Sequence, residues 1–234
     1  EVKKDANRNI LLDNDSGKEN VAEINGYKSY YGIKAVAPNF GNTKAMAEFV
    51  RGDIAGIPDK MFGLPDNNSN STTHMMLYLP MVAADGNIWL NNNLGAHYAN
   101  INHASFNPAQ QATGATDHLA YGSLFQWGRK PDGHELITYT NGSTGTAESG
   151  TTKTRPNADT AANALFITIN SGNYDWRGTT QNNALWATEA SANNPCPVGF
   201  RVPTLKEQNT LVTAASITNS ASAASSSLKF TFPG

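Results

Sequence analysis

The sequence is poor in charge and in cysteine, and each shortage excludes a class of protein. Charged residues make up 15% of the 234 residues, with a formal net charge of -2, against about 25% charged residues in typical soluble proteins. Since no cluster of Lys or Arg is present to neutralise phosphates or anionic lipids, we expect no nucleic-acid binding. The single cysteine, Cys196, excludes a disulfide framework within this chain and any site that needs two of its thiolates.

Long apolar runs are also lacking. No segment approaches the roughly 18 apolar residues that span a bilayer, so we expect no membrane insertion. Polarity comes mainly from Asn, Ser, Thr and Gly, which favour turns and an uncharged polar surface. Such surfaces are frequent outside the cell. We therefore expect an extracellular or cell-surface protein, and we take its signal peptide to be already removed because residues 1–9 are largely polar and charged.

The pattern of apolar residues and turn residues predicts an α+β protein rich in loops. Thr43 can begin a short helix. Thr204 with Glu207 has the spacing of a capping box that opens a helix to about Ala214, which fades into the Ser/Ala-rich stretch at 216–227. Strands are expected where short apolar runs stand between Gly, Asn and Pro turns. The expected strands are 27–36, 75–79, 87–90, 119–127, 135–140, 164–169 and 228–232.

Three blocks in the second half of the chain carry a resemblance to a known family. They are DGNIWLNNNL at 85–94, YGSLFQW at 121–127 and CPVGFRVPT at 196–204. In this order they resemble the Fibrobacter succinogenes major paralogous domain, a family of exported bacterial domains. The resemblance implies a structural role for the residues of these motifs. They are Trp89, Trp127, Cys196, Pro197, Gly199, Arg201, Pro203, Thr204 and Glu207.

The resemblance implies a fold and a domain boundary. It implies a C-type-lectin-like fold, with a loop-rich mixed sheet and few short helices, over residues 85–234. Residues 1–84 are then an N-terminal extension or part of the same domain. Gln208 stands where the family usually has Trp, and the family continues past a Leu-Lys-rich strand, whereas this sequence stops at Gly234. The domain as given thus lacks its usual C-terminal segment: either the sequence is cut short or another chain supplies the missing part.

No metal site or cofactor is expected from the sequence. The five histidines show no close pair of the kind that holds a transition metal on one helix or strand. The turn at 13–17 alternates oxygen ligands as calcium sites do but lacks the usual distal Glu, so a solvated turn is the alternative. By the resemblance, a lectin-type calcium site needs a Glu-Pro-Asn or Gln-Pro-Asp loop, which is absent. Calcium is possible but no motif supports it.

The aromatic residues offer candidates for a binding surface. Tyr174, Trp176 and Trp186 lie in loop-rich stretches where a ring could stack on a sugar, and we expect Tyr174 and Trp176 on the surface. Trp89 and Trp127 are expected in the core. The Asp-Thr-Ala tripeptide at 159–161 matches a short O-glycosylation signal of Bacteroidota, with Thr160 as acceptor, although an ordinary loop explains it too.

Taken together, these features predict a structural or adhesive protein and not an enzyme. The sequence pattern marks no nucleophile, general base or pair of carboxylates. By the resemblance, an enzyme of the formylglycine-generating type needs two active-site cysteines, and this sequence has one cysteine. We expect a pilus-, filament- or adhesin-type subunit that contacts itself or other surface subunits. The alternative is a monomeric lectin-like module that binds glycans without calcium.

Overall fold

The computed structural model describes residues 56–169 and 174–232, and in addition the backbone of two short strands at 22–24 and 27–29. The helix expected after Thr43 and the turn at 13–17 lie outside the described residues. Within the described ranges, no helix is both long and apolar enough to cross a membrane.

The strands are short and pair two by two. They are β1 (Ala22–Ile24), β2 (Tyr27–Ser29), β3 (Ile57–Pro58), β4 (Leu77–Tyr78), β5 (Pro80–Val82), β6 (Ile88–Leu90), β7 (Ile137–Tyr139), β8 (Gly145–Ala147), β9 (Thr151–Thr152) and β10 (Phe166–Ile167). Each of β1 to β8 pairs antiparallel with its neighbour in sequence, while β9 and β10 are parallel. The expected loop-rich α+β architecture is confirmed. The expected mixed sheet is replaced, in the described residues, by five small separate sheets.

The helix predicted from the capping box is present. It is α1 (Leu205–Ala214), and the side chain of Thr204 accepts a hydrogen bond from Glu207 N while the Glu207 carboxylate accepts one from Thr204 N. The Ser/Ala-rich stretch at 216–227, into which the helix was expected to fade, contains a separate short helix, α2 (Ser220–Ser225). Asn219 and Ser222 cap α2 reciprocally, a polar equivalent of the box that the sequence pattern did not reveal.

Two predicted strands do not form. Residues 119–127 contain the end of a 3-10 helix, His118–Ala120, followed by irregular backbone. Gly122 has φ +76°, a left-handed conformation that interrupts an extended strand. Residues 228–232 are likewise irregular, with Lys229 at φ +49°. In the described ranges, 3-10 helices also span His97–Ala99 and Asn183–Trp186.

Within the ranges 56–169 and 174–232, apolar side chains form several small clusters. One joins Ile57, Met76 and Tyr78 to Ala99, with Leu90, Leu94 and Phe200 packed against it. The others are built around Tyr98, Ala112 and Ala120, and around Ala161, Ile167 and Trp176. Because the first cluster mixes residues from both sides of position 85, the described residues before 85 belong to the same packed unit as those after it.

Candidate functional site

A groove of about 690 Å³ runs along β6. One wall is the segment from Gly86 to Leu94, which contains β6, and the opposite wall comes from the third sequence block and the segment after α2. Its apolar lining includes Trp89, Leu90, Leu94, Phe200, Val202, Leu228 and Phe230. Cys196, Gly199, Arg201, Pro203 and Glu207 also border it. The groove therefore brings the first and third sequence blocks together.

The edge of β6 presents backbone groups that have no partners in the part of the chain that the structure describes. In the β5–β6 pair, Pro80 faces Leu90, Met81 faces Trp89 and Val82 faces Ile88. The bonds from Ala83 N to Asn87 O (2.9 Å) and from Asn91 N to Leu79 O (2.9 Å) fix which pairs are hydrogen-bonded. Because such pairs alternate along an antiparallel ladder, the N–H and C=O groups of Ile88 and Leu90 point away from β5.

Those outward groups are the ones a further strand would use. Among the described residues, neither Ile88 nor Leu90 has a hydrogen bond for its N–H or C=O on that side. The side chain of Ile88 is 58% exposed and that of Val82, directly opposite, is 66% exposed. An open strand edge beside an apolar groove is a template for a second extended chain.

Polar contacts connect the third sequence block to Glu207 and Glu189. Arg201 donates two hydrogen bonds to the Glu207 carboxylate, from Nη1 to Oε2 at 2.9 Å and from Nη2 to Oε1 at 2.6 Å. The Arg201 contact, followed by the bonds from Thr204, lowers the pKa of Glu207 to about 2. Gly199 has φ +86°, which suits glycine, and its N–H donates to Glu189 Oε1 at 2.8 Å. Gly199, Arg201 and Glu207 therefore form part of one wall of the groove.

Cys196 is buried within this wall, and its surroundings do not favour the reactive thiolate form. Burial, followed by the nearby Asp59 charge, raises the pKa of its thiol to about 12. A thiol with such a pKa is almost entirely protonated at neutral pH, and the thiolate is the reactive form. This agrees with the structural role that the sequence motif implied.

The aromatic candidates are placed differently from the prediction. Trp176 and Trp186 are 2% and 7% exposed, so their expected role as stacking platforms at the surface is wrong. The indole nitrogens of both donate to backbone carbonyls, Trp176 to Trp127 O at 2.9 Å and Trp186 to Asn193 O at 2.7 Å. Tyr174 is 71% exposed, as expected, and Trp127 is 49% exposed although it was expected in the core.

Two further residues named in the sequence analysis are Trp89 and Thr160. Trp89 is half-buried, and its indole N–H donates to the Asp85 carboxylate at 3.2 Å, so the expectation of a core tryptophan holds in part only. Thr160 is exposed in its loop, and its glycosylation stays a prediction.

Arg129 is the centre of a buried polar network that sequence reasoning missed. Its side chain is fully buried, and its Nε lies 3.0 Å from Asp132 Oδ2. The remaining donors reach Gln126 Oε1 (2.9 Å), Leu165 O (2.9 Å) and Asn163 O (2.7 Å). The guanidinium also lies 5.7 Å from the centre of the Trp176 ring. Arg129 therefore ties the second sequence block to the loop around 163–165.

A second buried group consists of His74 between two carboxylates. His74 Nε2 lies 3.2 Å from Glu135 Oε1, and His74 Nδ1 lies 3.6 Å from Asp59 Oδ1. The side chains are at most 6% exposed. Tyr78 donates its hydroxyl to Asp59 Oδ2 at 3.2 Å. Among the described residues, neither His74 Nε2 nor Glu135 Oε1 has a hydrogen bond of regular geometry. Their contact is an ion pair when both ring nitrogens of His74 carry a proton.

The pKa shifts of these groups follow from burial and charge. Burial opposes ionisation of His74, but the Glu135 carboxylate and next the Asp59 charge outweigh it and raise the pKa of His74 above 6.5. Burial also opposes the charge on Glu135, yet His134 and His74 hold its pKa far below the usual 4.5. For Asp59, burial dominates and raises the pKa.

Asp132, His134 and Glu135 place three metal-ligand atoms within 4.8 Å of one another, but they do not fit a metal ion. His134 Nε2 accepts a hydrogen bond from Gln126 N at 3.1 Å, which requires the proton to be on Nδ1. Nδ1 lies 2.8 Å from Asp132 Oδ1 and donates to it. A metal ion at Nδ1 would need loss of that proton and of the Asp132 bond, so the three residues form a structural network.

Comparisons with known proteins gave no match. No family model matches the chain, and neither a curated protein nor a solved structure is similar to it. The functional argument therefore rests on the groove, the open strand edge and the exposed aromatic residues.

Proposed function

We propose that this protein is an extracellular structural or adhesive subunit, of pilus, filament or adhesin type, that contacts other subunits through the groove along β6. In this proposal the fold is C-type-lectin-like, the protein is not an enzyme, and it resides at the cell surface. The observation that carries the proposal is the open edge of β6, with outward backbone groups at Ile88 and Leu90 beside an apolar groove.

The groove has the chemistry of a strand acceptor. An added strand would bond to the backbone of Ile88 and Leu90, and its alternate side chains would enter the apolar groove. Leu90 and Phe200 already pack against the cluster around Tyr78, so the acceptor surface is continuous with a packed core. The wall from Cys196 to Glu207 contains the Arg201–Glu207 ion pair and the capped start of α1, so part of the acceptor surface is already ordered before a strand binds.

The composition supports assembly at a surface. A net charge of -2 limits repulsion between copies, and neutral amides and hydroxyls supply the exposed polarity. A monomeric glycan-binding module is the second candidate, and the half-exposed Trp127 favours it.

The test compares the size of the native assembly formed by the parent protein with that formed by variants in which proline blocks one strand edge. The protein purified from its own cells should form ordered polymers by electron microscopy and light scattering. Ile88→Pro removes an outward N–H from β6 without removing a bond to β5 and should abolish polymers. Val82→Pro makes the matched change on the outer edge of β5, which does not line the groove, and should leave them intact.

Either of two results would overturn the proposal. The first is that the intact protein is a monodisperse monomer. The second is that Ile88→Pro and Val82→Pro assemble equally well while both retain the circular dichroism spectrum of the parent protein.

A further inference from the structure

The segment 228–232 has the sequence of a strand but not the conformation of one. Its residues, LKFTF, alternate apolar and polar side chains with the two-residue period of a strand. The backbone is irregular, and Lys229 has φ +49°, a left-handed conformation that is costly for lysine and does not continue a strand. The segment therefore rests in a conformation that its own sequence does not favour.

Few hydrogen bonds hold the segment in this position. Its backbone donates from Lys229 N to Ser226 O (3.1 Å), from Phe230 N to Ala223 O (3.2 Å) and from Phe232 N to Ala115 O (3.0 Å). One side chain also takes part, because Asn93 Nδ2 donates to Thr231 Oγ1 at 3.1 Å. In the described part of the chain, no backbone carbonyl from 228 to 232 accepts a hydrogen bond. Departure of the segment therefore breaks few bonds and leaves no carbonyl newly unpaired.

The apolar side chains of the segment already contact the surface of the β6 groove. Leu228 and Phe230 line the groove together with Leu90 and Phe200. Each copy of the chain thus carries an apolar groove and a segment whose side chains suit that groove. If the segment passes to the groove of a second copy, the same side chains meet the same surface, so the exchange keeps these apolar contacts.

Pairing with β6 would add hydrogen bonds that the resting segment lacks. The N–H and C=O groups of Ile88 and Leu90 point away from β5 and have no partners among the described residues. In an extended chain, residues 228, 230 and 232 place their side chains on one face and their backbone groups along one edge. The residues that fill the groove are therefore the same ones that bond to Ile88 and Leu90.

We propose that the strand accepted by β6 is the segment 228–232 of a second copy of this chain. In the free subunit the segment lies beside its own groove with Lys229 in the left-handed conformation. In the assembly it extends and adds to β6 of the next subunit. This inference rests on the proposed function, because it names the partner of the same groove. Since the donor and acceptor surfaces differ, the contact is head-to-tail and repeats along a filament.

Two variants separate the donor segment from the acceptor strand. Ile88→Pro blocks β6 and leaves the segment intact. Phe232→Asp places a charge in the segment, while the acceptor is unchanged because Phe232 does not line the groove. Both should be monomers by light scattering and should keep the circular dichroism spectrum of the parent protein. An equimolar mixture should form dimers but no polymers, because only one segment and one groove in each pair are functional.

A matched control places the same charge elsewhere. Leu205→Asp changes an apolar residue that is 74% exposed at the start of α1 and does not line the β6 groove. It should polymerise like the parent protein. Loss of polymers in Phe232→Asp is then due to its position in the segment and not to the added charge.

Substitutions of Lys229 test the change of conformation. Lys229→Gly removes the cost of the left-handed resting state and weakens the preference for a strand, so the lowest concentration that gives polymers should rise about fivefold. Lys229→Val makes the resting state more costly and favours the extended state, so that concentration should fall about fivefold. In the Ile88→Pro background, Lys229→Val should lower the melting temperature. A residue that served only the stability of the subunit would not improve assembly when its change lowers that stability.

Two results would overturn the inference and leave the proposed function in place, because Ile88→Pro alone tests the latter. One is a Phe232→Asp variant that polymerises at the same concentration as the parent protein. The other is a mixture of the two folded monomeric variants that forms no dimer, which would show that a different chain fills the groove.

Discussion

Stability should fall as the pH rises through the pKa of His74. In the folded protein the imidazolium of His74 lies between Glu135 at 3.2 Å and Asp59 at 3.6 Å, all nearly or fully buried. The folded-state pKa lies above 6.5, the value of an unfolded histidine. The stabilisation from His74 is therefore complete below about pH 6.5 and is lost as the pH passes the folded-state pKa. Its size is about 1.4 kcal/mol for each pH unit that separates the folded-state pKa from the unfolded-state pKa.

Glu135 contributes in the same range of pH. Its folded-state pKa lies far below 4.5, so its stabilisation is present above about pH 4.5 and is lost only as the pH falls toward the folded value. The two contributions overlap between about pH 5 and about pH 6.5. We expect the free energy of unfolding to be highest there.

The substitution Glu135→Gln tests how much the His74–Glu135 pair contributes to the free energy of unfolding. The change removes one charge of a fully buried pair and leaves the His74 imidazolium facing only Asp59. Loss of one partner of a buried pair costs about 3–5 kcal/mol. The control is Arg201→Gln, which breaks an ion pair whose side chains are 37% and 34% exposed and should cost about 1 kcal/mol or less.

Urea unfolding followed by circular dichroism measures both effects. The parent protein should be more stable at about pH 5.5 than at about pH 8.5, and His74→Gln should remove most of that difference. A parent protein of equal stability at the two pH values would refute the reasoning, and so would a loss below about 1 kcal/mol for Glu135→Gln.

Three further outcomes are expected. Cys196 should resist iodoacetamide at neutral pH in the folded protein and react fully in urea, since burial raises its thiol pKa to about 12; rapid labelling of the folded protein would contradict its burial. Thr204→Ala should destabilise the protein by about 1 kcal/mol through loss of the helix cap, measured by urea unfolding, whereas Thr213→Ala, inside α1, should not. EDTA should leave the melting temperature unchanged, because both ring nitrogens of His134 are already hydrogen-bonded; a marked drop would show that a metal ion is held.

Local signals in the sequence predicted part of the local structure. The capping box of Thr204 and Glu207 identified α1, and short apolar runs between turn residues identified strands at 77–78, 88–90, 137–139 and 166–167. These features depend on neighbours within a few residues. The strand expected at 119–127 failed because Gly122 adopts a left-handed conformation, a choice that an apolar run does not reveal.

Tertiary placement of polar and aromatic residues could not be predicted in the same way. His74 and Glu135 are far apart in the sequence, and nothing in their local context marks them as a buried pair. Trp127 was expected in the core and Trp176 on the surface, but their positions are the reverse. The carbonyl of Trp127 accepts the indole N–H of Trp176, a long-range contact that places Trp176 inside.

Hydrogen exchange at the edge of β6 tests the central claim most directly. In the isolated subunit the amides of Ile88 and Leu90 should exchange rapidly, because they have no hydrogen-bond acceptor among the described residues. The amide of Asn91, bonded to Leu79 O at 2.9 Å, serves as the protected reference. In the native assembly the amides of Ile88 and Leu90 should become protected. If they exchange as fast in the assembly as in the isolated subunit, β6 does not accept a strand and the proposed function is wrong.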